Sequence, residues 1–402
     1  MHMLPSDDRL KYILGNPQNF SGMPLLPFSR TVLTFLAYLS ERLVADAATK
    51  AMSDVMSFAW WCRKANLERQ AAIYKDGVLR IGRGVVFHVT PSNMPVNFAF
   101  SWVFSLLAGN ANVLRLPNRD FPQIDIILRH IAALFNDEPF REIAAMNTFV
   151  AYDREEDITR ALSAIADVRI IWGGDETIRT IRKAPLPVRS VDIGFADRYS
   201  ICVLGAGQVL ALEQPDLTHL ASGFFNDTYL MDQNACSSPH LVVWLGSASE
   251  ALQAGEMLWG AIEKEVVRRY ELPAISSVDK FTQACRDAIE LDSLIEMRRN
   301  GNRLYILRLG NLLAGIETRR CGSGYFYEYV TENMDDIAPI ITSKFQTLTY
   351  CGVSKELLES FVVRHRLTGI DRIVPVGSAM DIGLIWDGYD LIRTLSRVCD
   401  IR

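Results

Sequence analysis

Cys236 lies in the run Asp232-Gln233-Asn234-Ala235-Cys236-Ser237-Ser238-Pro239, whose small and amide side chains suit an exposed nucleophile better than a packed core. A second segment, Thr90-Pro91-Ser92-Asn93-Met94-Pro95, offers a side-chain amide on a stiff turn flanked by prolines. A thiolate that attacks a carbonyl creates a tetrahedral oxyanion, and a fixed amide N–H is a suitable donor to that oxygen. Asn93 is also of the type that caps a helix start holding a proline. The other six cysteines, Cys62, Cys202, Cys285, Cys321, Cys351 and Cys399, are expected to be packed as small hydrophobes. With an odd total and no Cys-x-x-Cys pair, the seven support neither a zinc site nor a disulfide framework, and no metal is expected.

The elements that must position these segments read as alternating strands and helices. After Gly84, Val85-Val86-Phe87-His88-Val89 is a compact apolar run closed by Pro91, which predicts a strand buried on both faces with His88 a satisfied core histidine. Residues 96–108 are apolar except for Asn97, Ser101 and Ser105, spaced four apart; they predict a deeply buried helix that stops at Gly109. Ala111-Asn112-Val113-Leu114-Arg115-Leu116 then reads as the next strand and completes a right-handed βαβ unit. A helix near 121–135, a strand at 147–151, a helix near 155–166 and a strand at 168–172 extend this into a doubly wound α/β domain. Two amphipathic helices are expected within 28–70.

Gly173-Gly174 follows the last of those strands, and Asp175-Glu176-Thr177 opens another helix. A glycine pair at such a junction lets a phosphate approach backbone N–H groups, and it is equally compatible with a tight turn. Asp175 caps a helix well yet repels a nearby pyrophosphate. Beyond residue 205 a new block begins, with strands expected at 241–244 and 304–307 and a long helix near 249–269. The expected division is 1–205 as helices and dinucleotide-binding domain, 206–370 as the domain bearing Cys236, and 371–402 as a tail packing back between them.

Composition fits this organisation. A chain of 402 residues with about half its side chains apolar can build a large core and more than one domain. A formal charge of −5 argues against nucleic acid or an acidic membrane surface as partner, since those call for clustered Lys and Arg. The first residues lack the basic and apolar regions of a secretory signal, and no apolar run reaches the roughly 18 residues of a spanning helix. A cytoplasmic chain with reduced thiols and no membrane insertion is expected.

Taken in order, several segments resemble the aldehyde dehydrogenase superfamily, and within it the LuxC-type acyl-thioester reductases. They are the stretches 88–95, 107–115, 171–175 and 232–239, and the tail motifs Asp371-Arg372-Ile373-Val374-Pro375-Val376-Gly377 and Trp386-Asp387-Gly388-Tyr389-Asp390. The resemblance spans roughly residues 80–390 and implies an aldehyde dehydrogenase-like α/β fold, with a doubly wound Rossmann-type cofactor domain and a second α/β catalytic domain. It puts Cys236 at the acyl-accepting nucleophile and Asn93, with the backbone N–H of Cys236, at the oxyanion. Thr90, Pro91, Arg115, Asn118, Arg119, Gly173 and Gly174 fall at cofactor contacts. Arg115 takes the place of a lysine that holds the adenosine ribose or phosphate, and Asn118 stands where NAD-selective members place a glutamate. With no acid at that place and Arg119 nearby, the expected cofactor is NADPH; Arg119 belongs equally well to a solvated charge run.

Val191-Asp192-Ile193-Gly194 resembles the segment in which hydrolytic members carry a glutamate base. The shorter Asp192 is either an acid/base group or a structural residue at a strand end. His240 is expected to be buried or solvent-facing rather than an activating base, and Trp386-Asp387-Gly388-Tyr389 to be architectural. The implied reaction is two-electron reduction of an acyl thioester to an aldehyde. Its substrate is a fatty acyl-CoA, or an acyl group on a carrier protein or synthetase partner, and a homo-oligomer or multi-subunit complex is expected. The alternatives are oxidation of free aldehydes to acids with NAD(P)+ and a non-catalytic subunit that binds acyl carriers.

Overall fold

The computed structural model describes residues 3–91 and 94–402. The chain forms two compact units, one running to Ala196 and taking back Tyr389–Arg402, the other comprising Asp197–Gly388. The first holds β1 (Lys11–Leu14), β2 (Arg80–Gly82), β3 (Val85–Val89), β4 (Ala111–Arg115), β5 (Asn147–Ala151), β6 (Val168–Trp172) and β7 (Val191–Phe195). Its main sheet has the order β1-β5-β4-β3-β6-β7, parallel except for β1, which lies antiparallel on β5. Strands β3 and β6 are buried along their whole length, as their unbroken apolar runs require. The strand order reverses between them, the place where an open α/β sheet leaves a crevice beyond its carboxyl ends.

The helix Asn97–Leu107 crosses from β3 to β4 with nearly every side chain buried, so its polar strip must find partners inside. Trp172 Nε1 donates to Ser101 Oγ (3.0 Å), which meets His88 Nδ1 (2.8 Å). His88 Nε2 meets Asn112 Oδ1 (3.0 Å), and Asn112 Nδ2 donates to Asn147 Oδ1 (2.9 Å). Because the Asn112 amide nitrogen is spent on Asn147, its oxygen faces the ring, which places the His88 proton on Nε2 and leaves Nδ1 to accept from Ser101. Burial pushes His88 down to about 4, so it stays neutral near pH 7, a satisfied core histidine as its sequence context suggests. The stretch 28–70 folds as four helical segments instead of two, Arg30–Ala45, Ala47–Lys50, Ser53–Trp61 and Lys64–Ile73. The break after Ala45 comes from Asp46, whose carboxylate accepts the Ala48 N–H and restarts the helix.

The second unit holds β8 (Tyr199–Gly205), β9 (Pro239–Leu245), β10 (Leu294–Asn300), β11 (Leu304–Leu309), β12 (Tyr325–Thr331), β13 (Phe345–Cys351) and β14 (Arg372–Pro375). They form one sheet, β10-β11-β12-β9-β8-β13-β14, parallel apart from the β10–β11 pair. Alternate residues feed two cores: Tyr199, Ile201, Leu241 and Val243 join one, Cys202, Leu204, Val242 and Trp244 the other. The first unit ends at Ala196 and not at 205, because Tyr199–Gly205 is the interior strand β8 between β9 and β13. The tail divides as well. Arg372–Pro375 is β14 of the second sheet, whereas, after the two-residue strands β15 (Ile385–Trp386) and β16 (Tyr389–Asp390), β17 (Ser396–Val398) pairs antiparallel with β2.

Candidate active site

In the first unit a cavity of about 680 Å3 opens where β3, β4 and β6 end. It gathers the seven residues expected at a cofactor: Thr90 and Pro91 follow β3, Arg115 closes β4 with Asn118 and Arg119 just beyond, and Gly173 and Gly174 follow β6. Thr90 Oγ1 donates to the Arg115 carbonyl (2.7 Å) and ties two of these strand ends together. The Arg115 guanidinium lies 4.4 Å over the Tyr152 ring and donates to the Tyr152 and Asp153 carbonyls at 3.2 and 3.0 Å, so its position is set by the protein. Arg115, Arg119, Arg154, Arg160 and Lys183 on the walls outnumber Glu155, Glu156 and Glu176.

Gly174 is the N-cap of the helix Asp175–Arg182 with φ −65°, a conformation any residue adopts. A Cβ there would meet nothing within 4 Å, so what glycine leaves at this helix start is open room beside the first amides. That room, the cation surplus and the sheet's switch point fit a dinucleotide phosphate. Asn118 Nδ2 donates to Asp153 Oδ1 (3.0 Å), so a carboxylate stands beside position 118 although none occupies it.

Asp192 lies on β7 directly opposite Arg169 of β6. Arg169, 1 % exposed, donates from Nη2 to Asp192 Oδ2 at 2.6 Å and from Nη1 to Ser163 Oγ, the Ile181 carbonyl and the Ala184 carbonyl. Arg182 Nε approaches the same carboxylate oxygen at 3.6 Å. The Asp192 carboxylate is thus engaged by a buried guanidinium. The signal was present in the sequence, since an arginine in the middle of a buried strand requires a counter-ion.

In the second unit Cys236 sits half-buried in a turn closed by the Ser238 N–H donating to the Ala235 carbonyl (2.9 Å). Asp232 and Gln233 just before it take left-handed backbone angles, φ 51° and 60°. The Gln233 amide holds this bend: Nε2 donates to the Pro239 and Tyr325 carbonyls, and Oε1 accepts from the Gly324 and Tyr325 N–H groups, all at 2.9–3.0 Å. Ser200 Oγ donates to the Cys236 carbonyl (2.6 Å) and accepts from the Thr347 N–H (3.0 Å), fixing the turn to β8 and β13. Burial raises the Cys236 thiol above its ordinary range, opposed by a hydrogen bond from the Arg198 N–H; the carboxylates of Asp197 and Asp387 raise it further, and Arg320 lowers it.

Arg198, Ser200, Arg320 and Asp387 thus belong to the surroundings of the thiol, and local sequence pattern did not single them out. Asp387 in particular is buried and accepts from Gln346 Nε2, so the motif read as architectural brings a carboxyl group to bear on the sulfur. Burial raises Asp387 above the ordinary carboxylate range. Asn93 lies outside the described residues. His240 is 4 % exposed and neutral, pushed down to about 3 by burial, which suits none of the demands on a base. Of the remaining cysteines only Cys62 and Cys202 are buried; Cys321, Cys351 and Cys399 are half-buried and Cys285 is exposed, so the expectation that all six are packed holds for two. Among the described residues no three His, Cys, Asp or Glu side chains gather where a metal ion could sit, and no helix is long and apolar enough to cross a membrane.

Residues 65–297 match the family model described as LuxC, acyl-CoA reductase. A long-chain acyl-protein thioester reductase of Photorhabdus laumondii is 23% identical over 338 residues, 79% of this chain and 62% of the relative. One from Aliivibrio fischeri is 25% identical over 165 residues, 41% of this chain and 32% of the relative. The chain therefore spans about three-fifths of the length of the first of these relatives. Among solved structures, a NAD-dependent benzaldehyde dehydrogenase from Corynebacterium glutamicum superposes with a TM-score of 0.60 at 12% identity, covering 98% of this chain and 95% of the other. The bifunctional proline utilization A protein gives 0.64 at 16% identity, covering 92% of this chain and 42% of the other. At such identities the likeness establishes the fold, that of the aldehyde dehydrogenase superfamily.

Proposed function

The chain belongs to the LuxC family of acyl-CoA reductases, and from that membership we propose that it reduces a fatty acyl thioester to the aldehyde, with Cys236 as the acyl-accepting nucleophile and NADPH as reductant. The observation that carries this reading is the build of the Cys236 turn. Left-handed backbone at Asp232 and Gln233, the fully engaged Gln233 amide and the Ser200 anchor together hold the turn that carries a half-buried Cys236. Such backbone is retained where the surrounding structure over-determines it, as at a reacting centre.

In the acylation step the Cys236 sulfur bonds to the thioester carbonyl carbon, the bond from that carbon to the carrier sulfur breaks, and the thiol proton leaves with the carrier thiol. The Asn93 amide serves the oxyanion of that step. Asp192, engaged by Arg169 and Arg182, acts as a counter-ion, so that no carboxylate at its place readies a water against the acyl-enzyme. The cofactor is held by the helix start at Gly174 and by the cations around Arg115, with Thr90 and Pro91 shaping the end of β3. A bound NADPH supplies hydride, the two electrons that separate an acyl group from an aldehyde. The surplus of arginine and lysine favours the 2′-phosphate, offset in part by Asp153.

The test is a spectroscopic assay of cofactor oxidation against acyl-CoAs of graded chain length, with NADPH and NADH compared. Aldehyde should accumulate as acyl-CoA is consumed, NADPH should be used at least about tenfold more efficiently, and Cys236→Ala should abolish turnover while leaving the fold intact. Ordinary turnover by that variant, or acid formed from free aldehyde with acyl-CoA untouched, would sink the reading.

A further inference from the structure

We propose that Asp227 is a positioning residue for acyl transfer: as a carboxylate it seats the loop 376–381 on the Cys236 turn, and the sulfur is aimed at a thioester only while that loop is seated. This rests on the thioester reading of Cys236 given above. Asp227 lies in the last turn of the helix Gln214–Thr228 and is 1 % exposed. Its Oδ2 accepts the Gly377 N–H at 2.6 Å, and its Oδ1 accepts the Ala379 N–H at 2.9 Å. Its backbone carbonyl accepts from Ser238 Oγ at 2.7 Å, two residues beyond the nucleophile. One residue thus holds both the loop and the turn, and all of these groups belong to the second unit.

Loop and turn also meet directly. Ser237 Oγ donates to Met380 Sδ (3.7 Å), so the residue next to Cys236 rests on the loop. Glycine makes the close seat possible: Gly377, with φ 97°, lies so near Gly223 of the same helix that a Cβ on Gly377 would stand 3.1 Å from the Gly223 Cα. Arg372 holds the loop's carbonyls. Its guanidinium donates to those of Ala379, Ser378 and Asp381 at 3.0, 3.4 and 2.9 Å and lies 4.4 Å over the Trp386 ring. The carbonyls are therefore held by a permanent cation, and the amides of Gly377 and Ala379 by a group that titrates.

Burial pushes the Asp227 carboxyl up to about 7, opposed by the two N–H donors; the charge of Asp381 raises it further and that of Arg372 lowers it. Cys202 on β8 also feels the Asp227 charge, and burial keeps its thiol neutral. A hydrogen bond to an ionised acceptor is roughly twice as strong as one to a neutral acceptor, so protonation of Asp227 loosens both loop amides at once. Acylation needs sulfur, carbonyl carbon and oxyanion donors in line, and a misplacement of about 1 Å costs on the order of 10²-fold. Alkylation by a small reagent needs the thiolate alone.

The test follows two reactions of Cys236 in the full chain by mass spectrometry as pH is varied: acylation by the acyl-CoA turned over fastest in the graded series, and alkylation by iodoacetamide. Both rates rise with the thiolate, so their ratio cancels that ionisation and isolates Asp227. In the unmodified protein the ratio of acylation to alkylation should fall about tenfold from about pH 8 to about pH 6, as the carboxylate fraction does around a midpoint of about 7. In Asp227→Asn the side-chain amide nitrogen meets one of the two loop N–H groups donor to donor. There the ratio should lie at least about tenfold below that of the unmodified protein at about pH 8 and show no step with pH. A ratio flat with pH in the unmodified protein would overturn the assignment of Asp227 while leaving Cys236 as nucleophile, and that measurement needs no variant to fold. The same step persisting in Asp227→Asn would belong to another group and overturn it equally. With no adduct on Cys236 from any acyl-CoA, the thioester reading falls and this assignment with it.

Discussion

At Cys236 the sulfur is caught between opposing influences. Burial and the carboxylates of Asp197 and Asp387 disfavour the thiolate; the Arg198 N–H and the Arg320 guanidinium favour it, and burial outweighs them. The folded thiol therefore ionises above the ordinary cysteine range, and its thiolate fraction at neutral pH is smaller than that of a free cysteine. Because the thiolate is the attacking species, alkylation of Cys236 by iodoacetamide should climb about tenfold per pH unit and still be climbing beyond about pH 8.5, where free cysteine levels off. A plateau below pH 8 would mean that the cations prevail. In the proposed reaction Asn93 acts at a later point on the same coordinate, when charge has moved to the carbonyl oxygen. Asn93→Ala should lower the acylation rate by on the order of 10²–10³, the cost of losing one oxyanion donor, with substrate binding nearly unchanged; single-turnover acylation at saturating acyl-CoA separates the two effects.

The elements explain which parts of this site are legible in sequence. Strands β3 and β6 could be read directly, because strands covered on both faces must be continuous apolar runs and turn residues mark their ends. The cavity proposed for the cofactor inherits that clarity, since its residues sit where those strands and β4 stop. β10, Leu294-Ile295-Glu296-Met297-Arg298-Arg299-Asn300, is an edge strand with little burial and no alternation, so nothing in its composition distinguishes it from a loop. The surroundings of Cys236 were hidden for another reason. Arg198 and Ser200 reach it because β8 pairs with β9 and sets Ser200 opposite Pro239, a contact between separate segments (Ser200 to Cys236, 36 residues) that local periodicity cannot encode. Asp192 stands between these cases. Its cross-strand partner Arg169 is almost wholly buried, and Asp192→Asn would leave that guanidinium without its counter-ion. The variant should lose about 2–4 kcal/mol of stability, toward the low side for breaking a buried pair because Asp192 keeps some solvent contact, while turnover per folded molecule holds. Denaturant melts set beside kcat decide it: a general base would give the reverse, intact stability with collapsed turnover.

For the whole molecule the decisive feature is that the first unit is discontinuous in sequence, with Asp197–Gly388 inserted between Ala196 and Tyr389. The returning residues are structural parts of that unit. Leu391, Ile392 and Leu395 are each at most 1 % exposed. β17 adds to β2 in the register Ser396↔Gly82, Arg397↔Ile81 and Val398↔Arg80. Asn110 Nδ2 donates to the Leu395 carbonyl (2.9 Å) and Arg83 Nε to the Thr394 carbonyl (2.7 Å), so polar groups of the first unit are satisfied by the tail as well. Burying three such apolar side chains contributes together roughly 5–9 kcal/mol, comparable with the entire stability of a typical domain. Deleting 389–402 should therefore unfold the first unit and spare the second, which keeps its own seven-stranded sheet and two cores. Limited proteolysis of the truncated chain should yield a resistant fragment beginning near Asp197 and containing Cys236, and calorimetry should lose one transition and keep the other. A truncated chain that retains both transitions would mean that unit 1 folds without its last fourteen residues, and the return of the chain would then have to be explained by something other than stability.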